Sequence, residues 1–472
     1  MNGFRLALAA NTSLKQTPEG YFLLSRTPLR ALRVNRALFN VLERIRDGAD
    51  VAFTGETLRL LLGLVSKGYL EITSTPGPEA YPLVSIIVPV KDQPPDLADC
   101  LGSLQGLDWP PERREIIVVD DGSAPPISVP SGVRLLRQDV SLGPAACRNL
   151  GARQARGDIM AFLDADCLAG EGWLRELVPF FNAEGVGAVG GYVAGYYQDS
   201  FLDRYEETGS PLNMGKRLIL ESKGPSTFYV PTANLLVARP AFEAAGGFGE
   251  GRRVGEDVDL CWRMRALGYG LVYAPFGRVA HKHRKRLGRM LRRRAEYGTS
   301  EAGLYRAHRD KKKTFILPVF AGLSFLALAL AVLLFSPYPL IPVPFFIGLD
   351  AWRRSAALRK AGLSLPFRRV IGPTLRSGLA LFYFAFFHLV RYYLVLLLAL
   401  GFLWHPVWAF AGLALAATSL VDFFVRKTAL PYPVFLFFYL LEHLAYQAGV
   451  FLGCLKAGYF GSYRVSFRRG SS

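Results

Sequence analysis

The sequence predicts an α/β domain with a mostly parallel sheet and helices on both faces. A small winged-helix-like module precedes it and a helical membrane region follows. Three observations predict this order. Between residues 83 and 280, apolar β-branched runs (LVSIIVPV, REIIVVDD, RLLRQDV, DIMAFLDAD, VGAVGGYVAGY) alternate with helical stretches such as PAACRNLGARQAR and EGWLRELVPFF. Strands buried on both faces read this way. Upstream, a linker dense in Pro and Gly, STPGPEAYP, closes off a short segment with its own periodicity. Downstream, no Lys, Arg, Asp or Glu occurs from Thr314 to Leu349, and only Arg391 from Gly378 to Val421.

Residues 1–75 open with turn chemistry at Pro18-Glu19-Gly20 between two extended runs, which predicts a hairpin. Asn35 is placed to cap a helix with Ala37, Leu38, Val41, Leu42 and Ile45 inward, ending near Gly48. A second helix begins near Thr54 or Glu56 and stops at Gly68, and YLEIT returns as a strand. After the linker at 76–82, the central domain is expected over 83–313 and the membrane-associated helical region over 314–472. In the latter, FILPVFAGLSFLALALAVLLF has the length of a span. The last run, 428–455, is interrupted by Glu442, Pro431 and Pro433. Two to four spans are expected, with 315–349 a hairpin or re-entrant if the basic stretch after it stays inside.

The 472 residues suffice for two or three domains, and 51% apolar against 20% charged excludes a disordered chain. Lys and Arg number 56 against 38 Asp and Glu, a net +18 that calls for an anionic partner. Residues 282–313 carry 13 basic and 3 acidic side chains, and residues 351–376 carry 7 and none. These stretches bracket the first long apolar segment, so membrane lipid is the expected partner and nucleic acid is not. Five cysteines without a CxxC pair argue against a disulfide scaffold and a structural zinc site. The opening MNGFRLALAANTS has no long apolar h-region, so no cleaved signal peptide is expected. The expected location is the cell membrane, with the catalytic domain on the cytoplasmic side.

Ligands of parallel sheets bind beyond the carboxyl ends of the strands, where this chain places acidic groups. Asp164 and Asp166 end one predicted strand, where two carboxylates can hold a hard divalent ion; a solvated turn is the plainer alternative. Asp120 and Asp121 end another strand and can accept hydrogen bonds from a base or ribose, or cap a turn. Glu256-Asp257 opens an amphipathic stretch. A carboxylate there is stabilised by the helix dipole, and it can also deprotonate an acceptor hydroxyl. Asp259 reads as structural. His281 and His283 follow a predicted strand and can give the ion a nitrogen ligand, His281 ahead of His283, or sit at the edge of a basic patch. Arg148 and Arg153, after the Gly143-Pro144 turn, can face diphosphate oxygens or solvent.

SIIVPV, VVDDGS, the RNLGA run before LDAD, and EDVDLCWR with a later histidine together resemble the family-2 inverting glycosyltransferases, with their nucleotide-sugar-binding GT-A fold. The resemblance implies a UDP-sugar donor and a divalent metal, Mn²⁺ or Mg²⁺. It places Pro89, Asp120, Asp121, Arg148, Asp164 and Asn234 at the donor. Asp166 becomes the main metal ligand with Asp164, His281 and His283, and Asp257 the general base with Glu256 beside it. Lys91-Asp92 and Gly249 depart from the family pattern, and the QxxRW motif of processive synthases is absent after Asp257.

RVNRALFNVLERIRDG followed by LLLGLVSKGYLEI resembles the PqqD-like peptide-recognition domains, which implies contact with a precursor peptide or pathway protein through an added strand. The whole order, including YGTSEA, resembles the glycosyltransferases of mycofactocin systems. That implies a peptide-derived small-molecule acceptor and a short β-1,4-glucan product. The alternative acceptor is a lipid-linked glycan or exopolysaccharide precursor.

Overall fold

The computed structural model describes residues 2–26, 28–48, 53–78, 81–252, 254–360 and 362–469. Two positions of the expected linker, 79 and 80, lie outside them. The chain forms two compact units. The first comprises residues 1–7, 50–290 and 304–311; the second comprises 8–49, 291–303 and 312–472. Residues 1–75 therefore contribute to both.

The first unit is built on an eight-stranded sheet. Its spatial order is Ile219–Glu221, Gly270–Tyr273, Val186–Gly190, Leu235–Ala238, Ile159–Phe162, Val84–Val90, Arg114–Asp121 and Val133–Gln138. The four strands from Ile159–Phe162 to Val133–Gln138 run parallel. Leu235–Ala238 is antiparallel to both its neighbours, so the sheet is mixed. Ile86, Ile87, Val88, Ile117 and Val118 are fully buried, as alternation of strand and helix requires. Full burial of each such side chain contributes about 1.5–3 kcal/mol. Gly151 lets the helix Pro144–Gln154 lie close on the sheet, since a Cβ there would come within 2.5 Å of the Ile87 methyl.

VGAVGGYVAGY is not one strand. It divides into Val186–Gly190 in the large sheet and Val193–Gly195 in a second, three-stranded sheet with Val279–His281 and Cys167–Ala169. The break falls at Gly191, where a Cβ would come within 2.5 Å of the Asn234 amide. The strand Asn2–Leu8 pairs with Leu70–Pro78, and Phe4 stacks on Phe180 at 5.2 Å. The helix Gly55–Ser66 touches the same unit through Arg59, which donates to the Glu184 carbonyl at 3.1 Å.

In the second unit the predicted hairpin is present as Thr12–Thr17 against Gly20–Arg26, with Leu29–Val34 as a third strand. Asn35 caps the helix Arg36–Arg46 by accepting from the Leu38 amide at 2.8 Å. Among the described residues, three helices are long and apolar enough to cross a membrane: Phe367–Gly401, Pro406–Arg426 and Tyr432–Ala457. The 21-residue run that has the length of a span is divided. Its start belongs to the strand Lys313–Leu317, paired in parallel with Val465–Arg469, and its apolar helix Val319–Leu333 has only 15 residues. At about 1.5 Å per residue that helix falls short of a hydrocarbon core of about 30 Å. All five cysteines are buried and free.

Candidate active site

The carboxyl ends of the parallel strands gather most of the predicted residues. Val84–Val90 ends beside Arg114–Asp121 with Pro89 opposite Val119 and Val90 opposite Asp120, and Pro89 is partly exposed. Asp120 is fully buried. Its carboxylate accepts from the amides of Ser123 at 2.9 Å and Ile127 at 3.3 Å, and from Arg137. Burial pushes this carboxyl up, but the Ser123 and Ile127 hydrogen bonds and the Arg137 charge hold it below the ordinary range. Asp121 accepts from Ser141 Oγ at 2.7 Å and from the amides of Leu142 and Gly143. Turn capping is therefore realised at both positions.

Asp164 and Asp166 follow Ile159–Phe162 at the same sheet edge. They diverge in their partners. Asp164 takes a hydrogen bond from Arg148 at 2.6 Å. Asp166 faces His281, with Oδ2 and Nε2 3.6 Å apart. Pairing of Cys167 with His281 across the small sheet creates that approach. Burial raises the Asp166 carboxyl, and His281 followed by Arg284 outweighs it and lowers it.

His283 is not part of this pair. Its Nε2 lies 2.9 Å from Asp203, and both side chains are buried. Asp203 closes a capping box with Ser200 at the start of the helix Phe201–Gly209. The S-x-x-D spacing of Ser200 and Asp203 is the one signal that could have exposed this partner.

Arg148 is 3% exposed and also donates to Glu256 at 2.9 Å. It thus links the Asp164 strand end to the helix Glu256–Ala266. That helix starts from Gly255, whose φ of +80° is a left-handed conformation natural to glycine. Asp257, in the first turn, receives the Val258 amide at 2.8 Å. Removal from water, followed by the Glu256 charge, pushes the Asp257 carboxyl up to about 7. Asp259 is structural, as expected: His308 Nε2 lies 2.8 Å away and Arg263 Nε donates at 3.0 Å.

Two further predicted groups, Asn234 and Arg153, differ in their surroundings. Asn234 is fully buried and its amide is enclosed by protein partners. Trp173 donates to it at 2.7 Å, and it donates to the carbonyls of Gly277 at 2.8 Å and Tyr192 at 3.2 Å. These bonds brace the small sheet against the large one. Arg153 is exposed, 3.9 Å from Glu250. Asn149, overlooked within RNLGA, clamps the GGFGE loop through the Phe248 amide and carbonyl at 2.8 and 2.9 Å.

Among the described residues no three His, Cys, Asp or Glu side chains converge on one cation position. The Asp166 and His281 atoms nonetheless fit a shared divalent ion. Bonds of about 2.1 Å to each can bridge up to about 4 Å. The remaining ligands would come from outside this pair.

Residues 85–246 match the family model for Glycosyl transferase family 2. The matched stretch is similar to family-2 glycosyltransferase domains and holds most strands of the eight-stranded GT-A sheet described above. Within that class the chain is similar to the pre-mycofactocin glycosyltransferase of Mycobacterium tuberculosis, 32% identical over 321 residues. The match covers 66% of this chain and spans 65% of that relative's length. It is also similar to glycosyltransferase AglE of Haloferax volcanii, 29% identical over 59% of this chain and 88% of that protein. Among solved structures, the mannosyltransferase PcManGT from Pyrobaculum calidifontis, in complex with GDP-Man and Mn²⁺, aligns at 21% identity and a TM-score of 0.39. The alignment covers 65% of this chain and 89% of that one.

Proposed function

We propose that this chain is a membrane-associated inverting glycosyltransferase. It moves glucose from UDP-glucose onto premycofactocin, a peptide-derived redox cofactor, and builds a short β-1,4-linked chain. The observation that carries the reaction class is the place of Asp257 in the first turn of Glu256–Ala266, tied through Glu256 and Arg148 to the Asp164 strand end. The similarity to pre-mycofactocin glycosyltransferase supports the acceptor.

Asp257 takes the proton of the acceptor hydroxyl as that oxygen attacks the anomeric carbon from the face opposite the departing UDP. A carboxyl raised by burial and by the Glu256 charge is matched to this task, being basic enough to accept a proton near neutral pH. Glu256, neutralised by Arg148, stays in place beside it. Pro89, Asp120 and Asp121 form the strand ends against which the nucleoside would lie. A divalent ion held by Asp166 and His281 would neutralise charge on the diphosphate. An inverting displacement needs no enzyme nucleophile.

The test is mass spectrometry of premycofactocin incubated with detergent-purified protein, UDP-glucose and Mn²⁺, beside the Asp257→Asn variant. Stepwise hexose additions by wild type alone are expected. No addition with UDP-glucose still bound would discard the acceptor and keep the transferase. The three long apolar helices favour a second reading, a lipid-linked glycan acceptor, which that outcome would bring forward.

A further inference from the structure

The transfer chemistry proposed above does not call on the basic stretch from 351 to 376. It holds seven cations and no carboxylate. Arg353, Arg359, Lys360, Arg368, Arg369 and Arg376 are exposed. They occupy the last turns of the helix Val343–Lys360 and the first turns of Phe367–Gly401. The latter helix has 35 residues, about 52 Å at 1.5 Å each, against about 30 Å of hydrocarbon. Its basic first turns are the part left over. Trp352 and Phe367 are exposed in the same stretch, and aromatic rings favour the boundary between headgroups and hydrocarbon.

A second element is docked at this place. Phe22 and Leu24 of the three-stranded sheet 12–34 pack with Leu363, flanked by Leu29 and Leu358. Gly362 has a φ of +71°, and a Cβ on it would overlap the Glu19 carboxylate. The outer strand Leu29–Val34 exposes Arg30 and Arg33.

We propose that residues 351–376 and the sheet 12–34 form one docking face for the headgroups of anionic phospholipids. Charge complementarity and continuity with the long apolar helices select this occupant over a soluble anion or a nucleic acid. Asp350, just before the stretch, pairs with Arg354 at 3.2 Å, and the six exposed cations lie beyond it, between the helix Val343–Lys360 and the long apolar helix Phe367–Gly401. The sheet is fixed to them by apolar contacts, so it comes to the bilayer surface with them. This inference is independent of the sugar-transfer reading.

The experiment places the full chain in nanodiscs of phosphatidylcholine alone or mixed with phosphatidylglycerol. It counts lipids retained after release by native mass spectrometry and follows amide exchange of residues 12–34. Phosphatidylglycerol should be retained severalfold over phosphatidylcholine, less so at high salt, with slower exchange across 12–34. The variant R359Q/K360Q/R368Q/R369Q should lose both effects, with melting in phosphatidylcholine discs matching wild type. Equal retention of the two lipids, or an unchanged preference in the variant, would overturn the proposal. So would displacement of the lipid by inorganic phosphate, which would mark a soluble-anion site.

Discussion

Arg148 reaches Glu256, the residue just before the candidate base, with a 2.9 Å hydrogen bond from a side chain that is itself almost fully buried. Its other terminal nitrogen holds Asp164 at 2.6 Å. One guanidinium therefore joins two loops that arrive from different parts of the sheet.

Arg148→Met should break this bridge and leave Glu256 buried without its counter-charge. Breaking a buried pair costs about 3–5 kcal/mol, and the lower figure is expected because a third of the Asp164 side chain is open to solvent. Thermal melting of the detergent-solubilised variant measures it. Adding Glu256→Gln should recover part of the loss, and no recovery would assign the cost to packing instead.

Asp257→Asn should lower turnover by about 10²–10⁴, the range for loss of a general base, while UDP-glucose affinity changes less than about threefold. Calorimetric titration of the donor separates the two. A parallel fall in affinity would contradict the general-base role.

The pH dependence follows from the same group. Only ionised Asp257 accepts a proton, so kcat/KM should rise about tenfold per pH unit at acid pH and level off above about 7. Glu256→Gln removes a charge that raises the Asp257 carboxyl, so the profile should move to lower pH. Stability runs the other way. Asp257 binds its proton more tightly folded than unfolded, where an aspartate titrates near 3.9. Its favourable contribution is complete below about pH 4 and is lost as pH rises through about 7. Asp257→Asn should thus raise the melting temperature over wild type at pH 8 and leave it unchanged at pH 4.

The two histidines should separate cleanly. His281→Ala should weaken Mn²⁺-dependent UDP-glucose binding by about 10–100-fold. His283→Ala should leave it near wild type and cost about 1–3 kcal/mol by leaving the buried Asp203 with only its Ser200 hydrogen bond. A Mn²⁺ titration and a melting curve on each variant decide it.

Much of this arrangement was legible in the sequence because alternation and strand-end carboxylates are local signals. Val84–Val90, Arg114–Asp121 and Ile159–Phe162 fall within the runs that predicted them, and Asn35 caps its helix. What stayed hidden depends on distant partners. The small sheet forms because Gly191 leaves room for Asn234, 43 residues later, and no periodicity reports that. His283 turns to Asp203 rather than to Asp166, a choice made by the fold. The apolar run after Lys313 hid the strand Lys313–Leu317 because composition does not distinguish a strand from the first turn of a helix.

The parallel pairing of Lys313–Leu317 with Val465–Arg469 has a topological consequence. It ties the entry and the exit of the apolar region together, so both lie on one side of any bilayer that the region crosses. The number of complete crossings between them is then even. Three long helices make an odd count, so either residues 318–360 supply a fourth traverse or one of the three lies along the surface. Single cysteines at Thr314 and Ser466, whose hydroxyls are 3.0 Å apart, should accordingly react with an impermeant thiol reagent from the same face.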